Sequence, residues 1–347
     1  MKLEKRRDLK LPTGVLGLSG VPDGSRLFAA CMDGQVLAVD TASGTLTPFP
    51  GKHTSYASGC VLLPDGKTLI SGGYDGCLLW HEVESLREIR RVQAHDFWSW
   101  QLALAPAGDR VASVTGQYLA GGEKYEPAPS GEPTVKVYDT RSGELLQAWH
   151  HLPPVLSVAF SPDGQHLTAA NMMGEVRIWN VSTGQLAAHF TTPEFTSWGI
   201  IKSPHYCGGI YSLAFAPDGA SLLACGMGNM TDPMAGNGKM TWQRWAWRES
   251  AKMLAQIHDG ELGAGLMETL LYLPEGNAFL MAGRQAQGTW NAALFSAADG
   301  KLLASLDTKS RVTRSVGRLA RRPQRKVFLF AVPMHSQLLD DGFFHVT

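Results

Sequence analysis

The sequence predicts an all-β fold, a propeller of seven four-stranded antiparallel blades, on three observations. A Pro-Asp-Gly turn recurs from one end of the chain to the other, apolar runs of strand length flank each copy, and the copies stand 42 to 57 residues apart. Proline pre-sets the first turn position and glycine accepts a positive φ, so each copy closes a hairpin between two strands.

In order, the turns are Pro22-Asp23-Gly24, Pro64-Asp65-Gly66, Pro106-Ala107-Gly108, Pro162-Asp163-Gly164, Pro217-Asp218-Gly219 and Pro274-Glu275-Gly276. A worn seventh copy, Pro323-Gln324-Arg325, is identified by its flanking strands. Runs such as Val155 to Phe160 and Ser221 to Cys225 have the length and apolar bias of half-buried strands. Tight turns at Ala42-Ser43-Gly44, Arg141-Ser142-Gly143, Ser182-Thr183-Gly184 and Ala298-Asp299-Gly300 close third strands on fourth strands. The repeat leaves no low-complexity linker, so residues 1–347 read as one closed domain.

Thirty-one basic residues balance 31 acidic ones, and overall charge favours no class of partner. The N-terminus, Met1-Lys2-Leu3-Glu4-Lys5-Arg6-Arg7, lacks the apolar core of a secretory signal, and no stretch is long enough to span a bilayer. The expectation is a soluble, cytoplasmic chain without a membrane span. Five cysteines, odd in number and without CxxC spacing, indicate neither a disulfide framework nor a zinc site.

Residues 151–186 run His151, an apolar strand, Ser161-Pro162-Asp163-Gly164, a second strand, then Glu175-Val176-Arg177-Ile178-Trp179-Asn180 and Ser182-Thr183-Gly184-Gln185-Leu186. This order resembles one repeat of the WD-repeat (beta-transducin-like) propeller family. Eleven residues before three of the turn prolines stand His53, His95 and His151, the place of the histidine in that family's Gly-His dipeptide. The slot of its Trp-Asp dipeptide holds Val39-Asp40, His81-Glu82, Tyr138-Asp139, Trp179-Asn180 and Phe295-Ser296. In blade 5 the segment Thr241 to Trp247 contains this strand, in a register left open within one residue.

The family ties its blades with a buried network of His, Ser or Thr, Asp and Trp. The resemblance implies that blade 2 keeps His53, Ser71 and Asp75 with His81 in the Trp slot, and that blade 3 keeps His95 and Ser113. Blade 4 keeps His151 and Trp179 but has Ala169 and Met173 in the polar slots, so such incomplete blades are expected to lean on apolar packing, their histidines being structural. The resemblance also implies closure of the ring: residues 342–347 align with a third strand, and residues 3–10 supply the outer strand of that C-terminal blade, removing an open edge.

Extra length falls on one face, in residues 116–133 of blade 3, 191–209 between blades 4 and 5, and 226–240 of blade 5. These are expected to be long loops, which in compact domains commonly carry function. Tyr118, Tyr125, Trp198, His205, Tyr206 and Met230, with Trp98 and Trp242 nearby, are the candidate partner-binding residues, because aromatics and methionine are enriched in interface cores. The alternative is a private cap in which the loops fold over one another.

Charge is uneven. Lys309, Arg311, Arg314, Arg318, Arg321, Arg322, Arg325 and Lys326 lie within eighteen residues free of acids, and Lys2, Lys5, Arg6, Arg7 and Lys10 belong to the segment expected beside them. This patch on blade 7 reads first as a solvated edge that resists strand addition and second as a site for an anionic partner. Few aromatics are interleaved, and no specific nucleic-acid motif is present.

No nucleophile and base pair, phosphate loop or metal spacing emerges, so no catalytic residue, metal or cofactor is assigned. His205-Tyr206-Cys207 lacks further ligands nearby, and Gly226-Met227-Gly228-Asn229-Met230 does not match the phosphate-loop pattern. The sequence therefore favours a non-catalytic scaffold that binds proteins or peptides through the loop face of blades 3 to 5. A propeller enzyme or small-molecule binder using the channel mouth is the alternative.

Overall fold

The computed structural model describes residues 2–123, 125–198, 206–232, 237–248, 250–257, 264–287, 289–308, 326–329 and 342–346. Among them are six four-stranded antiparallel blades, and the only helical piece is the 3-10 turn Pro193–Phe195. Blade 1 comprises Val15–Gly20, Arg26–Cys31, Val36–Asp40 and Leu46–Pro48; blade 2 comprises Ala57–Leu62, Thr68–Gly73, Cys77–Glu82 and Glu88–Gln93. Blade 3 is built from Gln101–Leu104, Arg110–Val114, Val135–Asp139 and Leu145–Trp149, and blade 4 from Val155–Phe160, His166–Asn171, Glu175–Asn180 and Leu186–Thr191. Tyr206–Phe215, Ser221–Asp232, Asn237–Ala246 and Lys252–Gln256 make blade 5; Ala264–Tyr272, Ala278–Gln287, Ala292–Ser296 and Leu302–Leu306 make blade 6.

All six Pro-x-Gly turns place their glycine at φ between 68° and 76°, the left-handed conformation that glycine alone adopts without strain. In four of them the turn aspartate (Asp23, Asp65, Asp163, Asp218) accepts a hydrogen bond at 2.8–3.0 Å from the backbone N–H two residues on. Blades 2 to 6 share a register shift where the third strand meets the fourth, and it falls beside the Trp-slot residue: His81, Tyr138, Trp179 and Phe295 in the copies aligned from sequence. In blade 5 the shift lies between Arg244 and Trp245, so the slot there is Trp245-Ala246.

The core lies between blades. Phe190, Ala170 and Ile178 of blade 4 pack with Phe215, Leu222 and Trp247 of blade 5, and Trp242 and Leu223 of blade 5 meet Phe279, Met281 and Phe295 of blade 6. Burying each such side chain contributes roughly 1.5–3 kcal/mol, so every blade depends on its neighbours. Cys31, Cys60, Cys77 and Cys225 are buried free thiols within these layers, and burial pushes the Cys60 thiol up to about 12.

The two ends of the chain meet. Leu3–Asp8 pairs antiparallel with Gly342–Val346, which pairs with Lys326–Leu329, giving a three-stranded sheet with the N-terminal strand outermost. Leu3 packs on Leu280 and Leu294 of blade 6, while Leu9 and Leu11 pack with Val15 and Leu27 of blade 1. The N-terminal segment thus bridges the first and the sixth blade.

The expectation of long loops is corrected for much of the inserted chain. Ala120–Gly121 and Glu126–Pro127 form a small hairpin in blade 3, and Thr196–Trp198 pairs with the start of the lengthened strand Tyr206–Phe215. In blade 5 the second and third strands continue to Asp232 and from Asn237, and Gly238 and Lys239 pair with Gly265 and Ala264 of blade 6. The physical reason is backbone satisfaction: pairing extended segments meets N–H and C=O groups that a loop would leave to water. Glycines permit it, since a Cβ on Gly228 would lie 2.6 Å from the Glu194 carbonyl oxygen.

Candidate functional site

Each histidine at the blade borders is held from the second and third strands of its blade or the connection between them. In blade 2 the Nδ1 of His53 donates to Asp75 at 2.9 Å, and its Nε2 accepts from the Ser71 hydroxyl at 3.0 Å. His81 Nε2 lies 3.2 Å from the same hydroxyl and takes the donor role there, because the serine proton is already given to His53. Burial of Asp75 raises its pKa, but the hydrogen bond from His53 together with those from the N–H groups of Thr54 and Cys77 outweighs it and holds the carboxyl at about 2.

This Ser-His-Asp order has the connectivity of a hydrolytic triad. Its hydroxyl, however, is fully buried (0% exposed) and shared with His81, so no substrate carbonyl can reach it. The network is a structural tie. Among the described residues no group of three or more His, Cys, Asp or Glu side chains is placed to hold a metal.

Blades 3 and 4 recruit acids from other positions. In blade 3, His95 bonds the Ser113 hydroxyl at 2.8 Å, and Glu132, from the end of the insertion, lies 3.7 Å from its Nδ1. Burial alone raises the Glu132 pKa; His95, the Lys136 ammonium at 2.7 Å and the Asp96 N–H at 2.9 Å bring it down to about 2. In blade 4, Glu175 approaches His151 Nδ1 at 3.7 Å although Ala169 and Met173 fill the expected polar slots. The expected reliance of these blades on apolar packing is therefore only part of their support. Spacing from the turn could not reveal either glutamate, because one follows an insertion and the other stands on the third strand.

Above these ties the connectors carry aromatic rings. Tyr56 ends the connector into blade 2, Tyr74 sits in the turn between that blade's second and third strands, and Phe97, Trp98 and Trp100 lie in the connector into blade 3. Tyr74 N–H donates to the Tyr56 carbonyl at 2.8 Å, which fixes the two rings 5.5 Å apart with a 40° tilt. Trp98 stacks on Tyr74 at 4.4 Å and 4°, and on Phe97 at 4.8 Å and 16°. Trp100 stands edge-on to both Trp98 and Tyr74, its indole N–H on the Gly116 carbonyl at 2.8 Å. Tyr56 (43%) and Trp98 (37%) remain exposed.

Gly116 leads into the blade 3 insertion, and there the rings continue. Tyr118 donates to the Tyr125 carbonyl and lies against the backbone of Tyr206, which packs on Trp198 at 4.7 Å. Trp198 and Tyr125 are exposed, while Tyr118 and Tyr206 are half-buried. An aromatic arc thus runs from the connector of blades 1 and 2 to the edge of blade 5.

Of the residues expected from sequence, the structure brings together Tyr118, Tyr125, Trp198 and Tyr206, while Trp98 belongs to the cluster with Tyr74, Phe97 and Trp100. Met230 is half-buried, its N–H on the Ser197 hydroxyl at 3.0 Å. The expectation for Trp242 is corrected: it is 1% exposed, with its ring 5.0 Å from Phe279, because its side of the strand faces blade 6 rather than the rim. His205, Arg311, Arg314, Arg318, Arg321 and Arg322 lie outside the described residues, and Arg6 and Arg7 belong to the N-terminal strand. Tyr56, Tyr74 and Trp100 were missed from sequence; all three stand at insertion-free connections, where length gives no signal.

The model of the family described as "WD domain, G-beta repeat" matches residues 45–81, 143–180 and 199–231. The first two matches begin at the outer strand of one blade or the turn before it and end on the third strand of the next, so each sequence repeat straddles two blades. WD repeat-containing protein SL1-17 of Schistosoma mansoni is 24% identical over 173 residues, covering 50% of this chain and 52% of that protein. Guanine nucleotide-binding protein subunit beta of Oryza sativa subsp. indica is 27% identical over 177 residues, 50% of this chain and 42% of that one. Protein groucho of Drosophila melanogaster is 28% identical over 179 residues, 51% and 22% respectively. The chain thus spans about half or less of these relatives' lengths. The matches fall on blades 2, 4 and 5 of the propeller, so the chain carries WD repeats of this family's kind.

Proposed function

We propose that this chain is a non-catalytic interaction scaffold, closed as a single ring of seven blades, whose protein partner docks across the aromatic arc. The observation that carries the reading is the run of exposed rings Tyr56, Trp98, Tyr125 and Trp198, presented on connectors whose backbones are held by buried ties. Rigid aromatic anchors bury much area with few rotamers to freeze, the feature common to interface hot spots. The joining of both chain ends in one sheet supports closure.

Among the relatives, one is by name a subunit, which fits a role in assemblies. Relative to the expectation from sequence, the proposed face is shifted toward blades 2 and 3. The test is co-purification from the native host with the full chain and with a Trp98, Tyr118, Trp198 and Tyr206 alanine variant of unchanged circular dichroism. Loss of one or more specific partners is expected, and an unchanged partner list would remove the arc from consideration.

A further inference from the structure

Resting on the docking face proposed above, which such a device would gate, we infer that the blade 3 insertion is a strap across blade 4, latched to blade 5 by the Tyr118 hydroxyl. Opening the latch uncovers the upper surface of blade 4. The two ends of the strap are firmly held. At its start the Gly116 carbonyl accepts the Trp100 indole N–H at 2.8 Å, and at its end Glu132 takes the Lys136 ammonium at 2.7 Å and the Asp96 N–H at 2.9 Å. Between these anchors lies the hairpin of Ala120–Gly121 and Glu126–Pro127, continued by the Ala128 N–H on the Leu119 carbonyl at 2.9 Å. Gln117, Ala120, Gly122, Glu123, Tyr125 and Glu126 are exposed, so little of this hairpin is packed into the ring.

Tyr118 is half-buried and reaches further. Its hydroxyl donates to the Tyr125 carbonyl across the hairpin at 3.3 Å and also hydrogen-bonds the backbone of Tyr206, on the blade 5 strand Tyr206–Phe215. A contact from blade 3 to blade 5 has to cross blade 4, which lies between them and has only the short turn 172–174 between its own second and third strands. Blade 4 is closed in from both sides. Gly116 abuts its connector so tightly that a Cβ would come within 2.5 Å of the Pro153 Cβ, and a Cβ on Gly209 of blade 5 would lie 3.0 Å from the Met172 Cα. Pro153 and Pro154 are buried and Met172 is half-buried, whereas the corresponding connector of blade 2 exposes Thr54 and Tyr56.

The latch is closely balanced. Tyr125 holds φ at 54°, a left-handed conformation that is costly for a bulky residue, and the carbonyl it presents is the one Tyr118 engages. A water-exposed hydrogen bond yields a small net gain, so strain and bond offset each other and both arrangements are accessible.

The experiment is hydrogen exchange on the full chain and on Tyr118→Phe, with methionine oxidation by hydrogen peroxide read by mass spectrometry on the same samples. Loss of the hydroxyl should raise exchange in segments 117–128 and 196–198 about two- to tenfold, the range of one hydrogen bond. Met172 should oxidise faster by about twofold or more on the same grounds, while Met281 in the blade 6 core stays protected. Tyr125→Gly keeps the carbonyl and relieves the strain, so exchange there should be no faster than in the unsubstituted chain.

Exchange unchanged in Tyr118→Phe, or raised equally in Tyr125→Gly, would overturn the latch, the second outcome showing that lost ring bulk rather than the hydroxyl loosens the hairpin. Faster exchange with Met172 oxidation unchanged would overturn the strap's cover of blade 4. Neither measurement needs a partner, so failure here leaves the docking face standing, and an unchanged partner list in co-purification leaves the latch standing.

Discussion

In blade 2 the slot residue His81 joins a chain of polar contacts running through Ser71 and His53 to Asp75, whereas in blade 4 the same slot holds Trp179, stacked on Trp149 of blade 3 at 5.2 Å. The two blades differ beside the slot as well. Blade 2 has its tryptophan one position earlier, and on a strand a single step reverses the face. Trp80 accordingly points toward blade 3, its indole N–H on the Thr140 carbonyl at 2.7 Å, while His81 packs edge-on against Phe49 of blade 1. The pairing partner of the inner strand follows suit: Ser71 in blade 2, where a histidine must be satisfied, and Ala169 in blade 4, where a tryptophan needs only contact. A blade can therefore be tied to its neighbours through hydrogen bonds or through ring stacking, provided the second strand is chosen to match.

Three measurements test that contrast. The largest effect is expected from Trp80→Ala and Trp179→Ala, each losing about 3–5 kcal/mol in urea unfolding, with Trp80 the costlier because the Thr140 carbonyl also loses its donor. Equal costs, or a smaller one for Trp80, would show that the tie to blade 3 contributes nothing beyond packing. Next comes Asp75→Ala, which strands the His53, Thr54 and Cys77 donors and should cost about 2–3 kcal/mol, whereas Glu175→Ala in blade 4 should cost about 1 kcal/mol. Comparable losses would mean that the two blades rely on their acids alike.

The smallest effect is a pH dependence. Burial lowers the pKa of both His81 and His151 to about 4, so each stays neutral when folded, while the unfolded histidine takes up a proton near 6.5. Stability is thus fully present above about pH 6.5 and is lost as pH falls toward 4, by about 1 kcal/mol per histidine between pH 7 and 5.5. Depressed carboxyls act in the same direction at lower pH: the contribution of Asp75 and Glu132, present above about pH 4.5, disappears as pH falls toward 2. Denaturation midpoints across this range check the sign, and His81→Leu should make the slope between pH 7 and 5.5 shallower; a slope left unchanged would show that His81 does not titrate on unfolding.

The repeat was legible because its turns obey local rules. Gly24, Gly66 and Gly164 must adopt positive φ whatever packs around them, and the His53, Ser71 and Asp75 network could be placed by counting from Pro64. The acids of blades 3 and 4 were not legible, because Glu132 and Glu175 reach their histidines through space from positions that the spacing does not index. The same holds for the rim. Trp242 looked like a rim residue and proved to be core, since a shift of one residue in a strand of unknown register exchanges the two.

By itself the sequence determined the blade period and the turn conformations, both set by neighbours within a few residues. Only the tertiary structure decided that much of the inserted chain pairs as strand and that Tyr56, Tyr74 and Trp98 from separate connectors become one stack. Stacking depends on ring separations of a few ångströms between segments about 20 residues apart, and only the radial arrangement of the blades brings them within that distance.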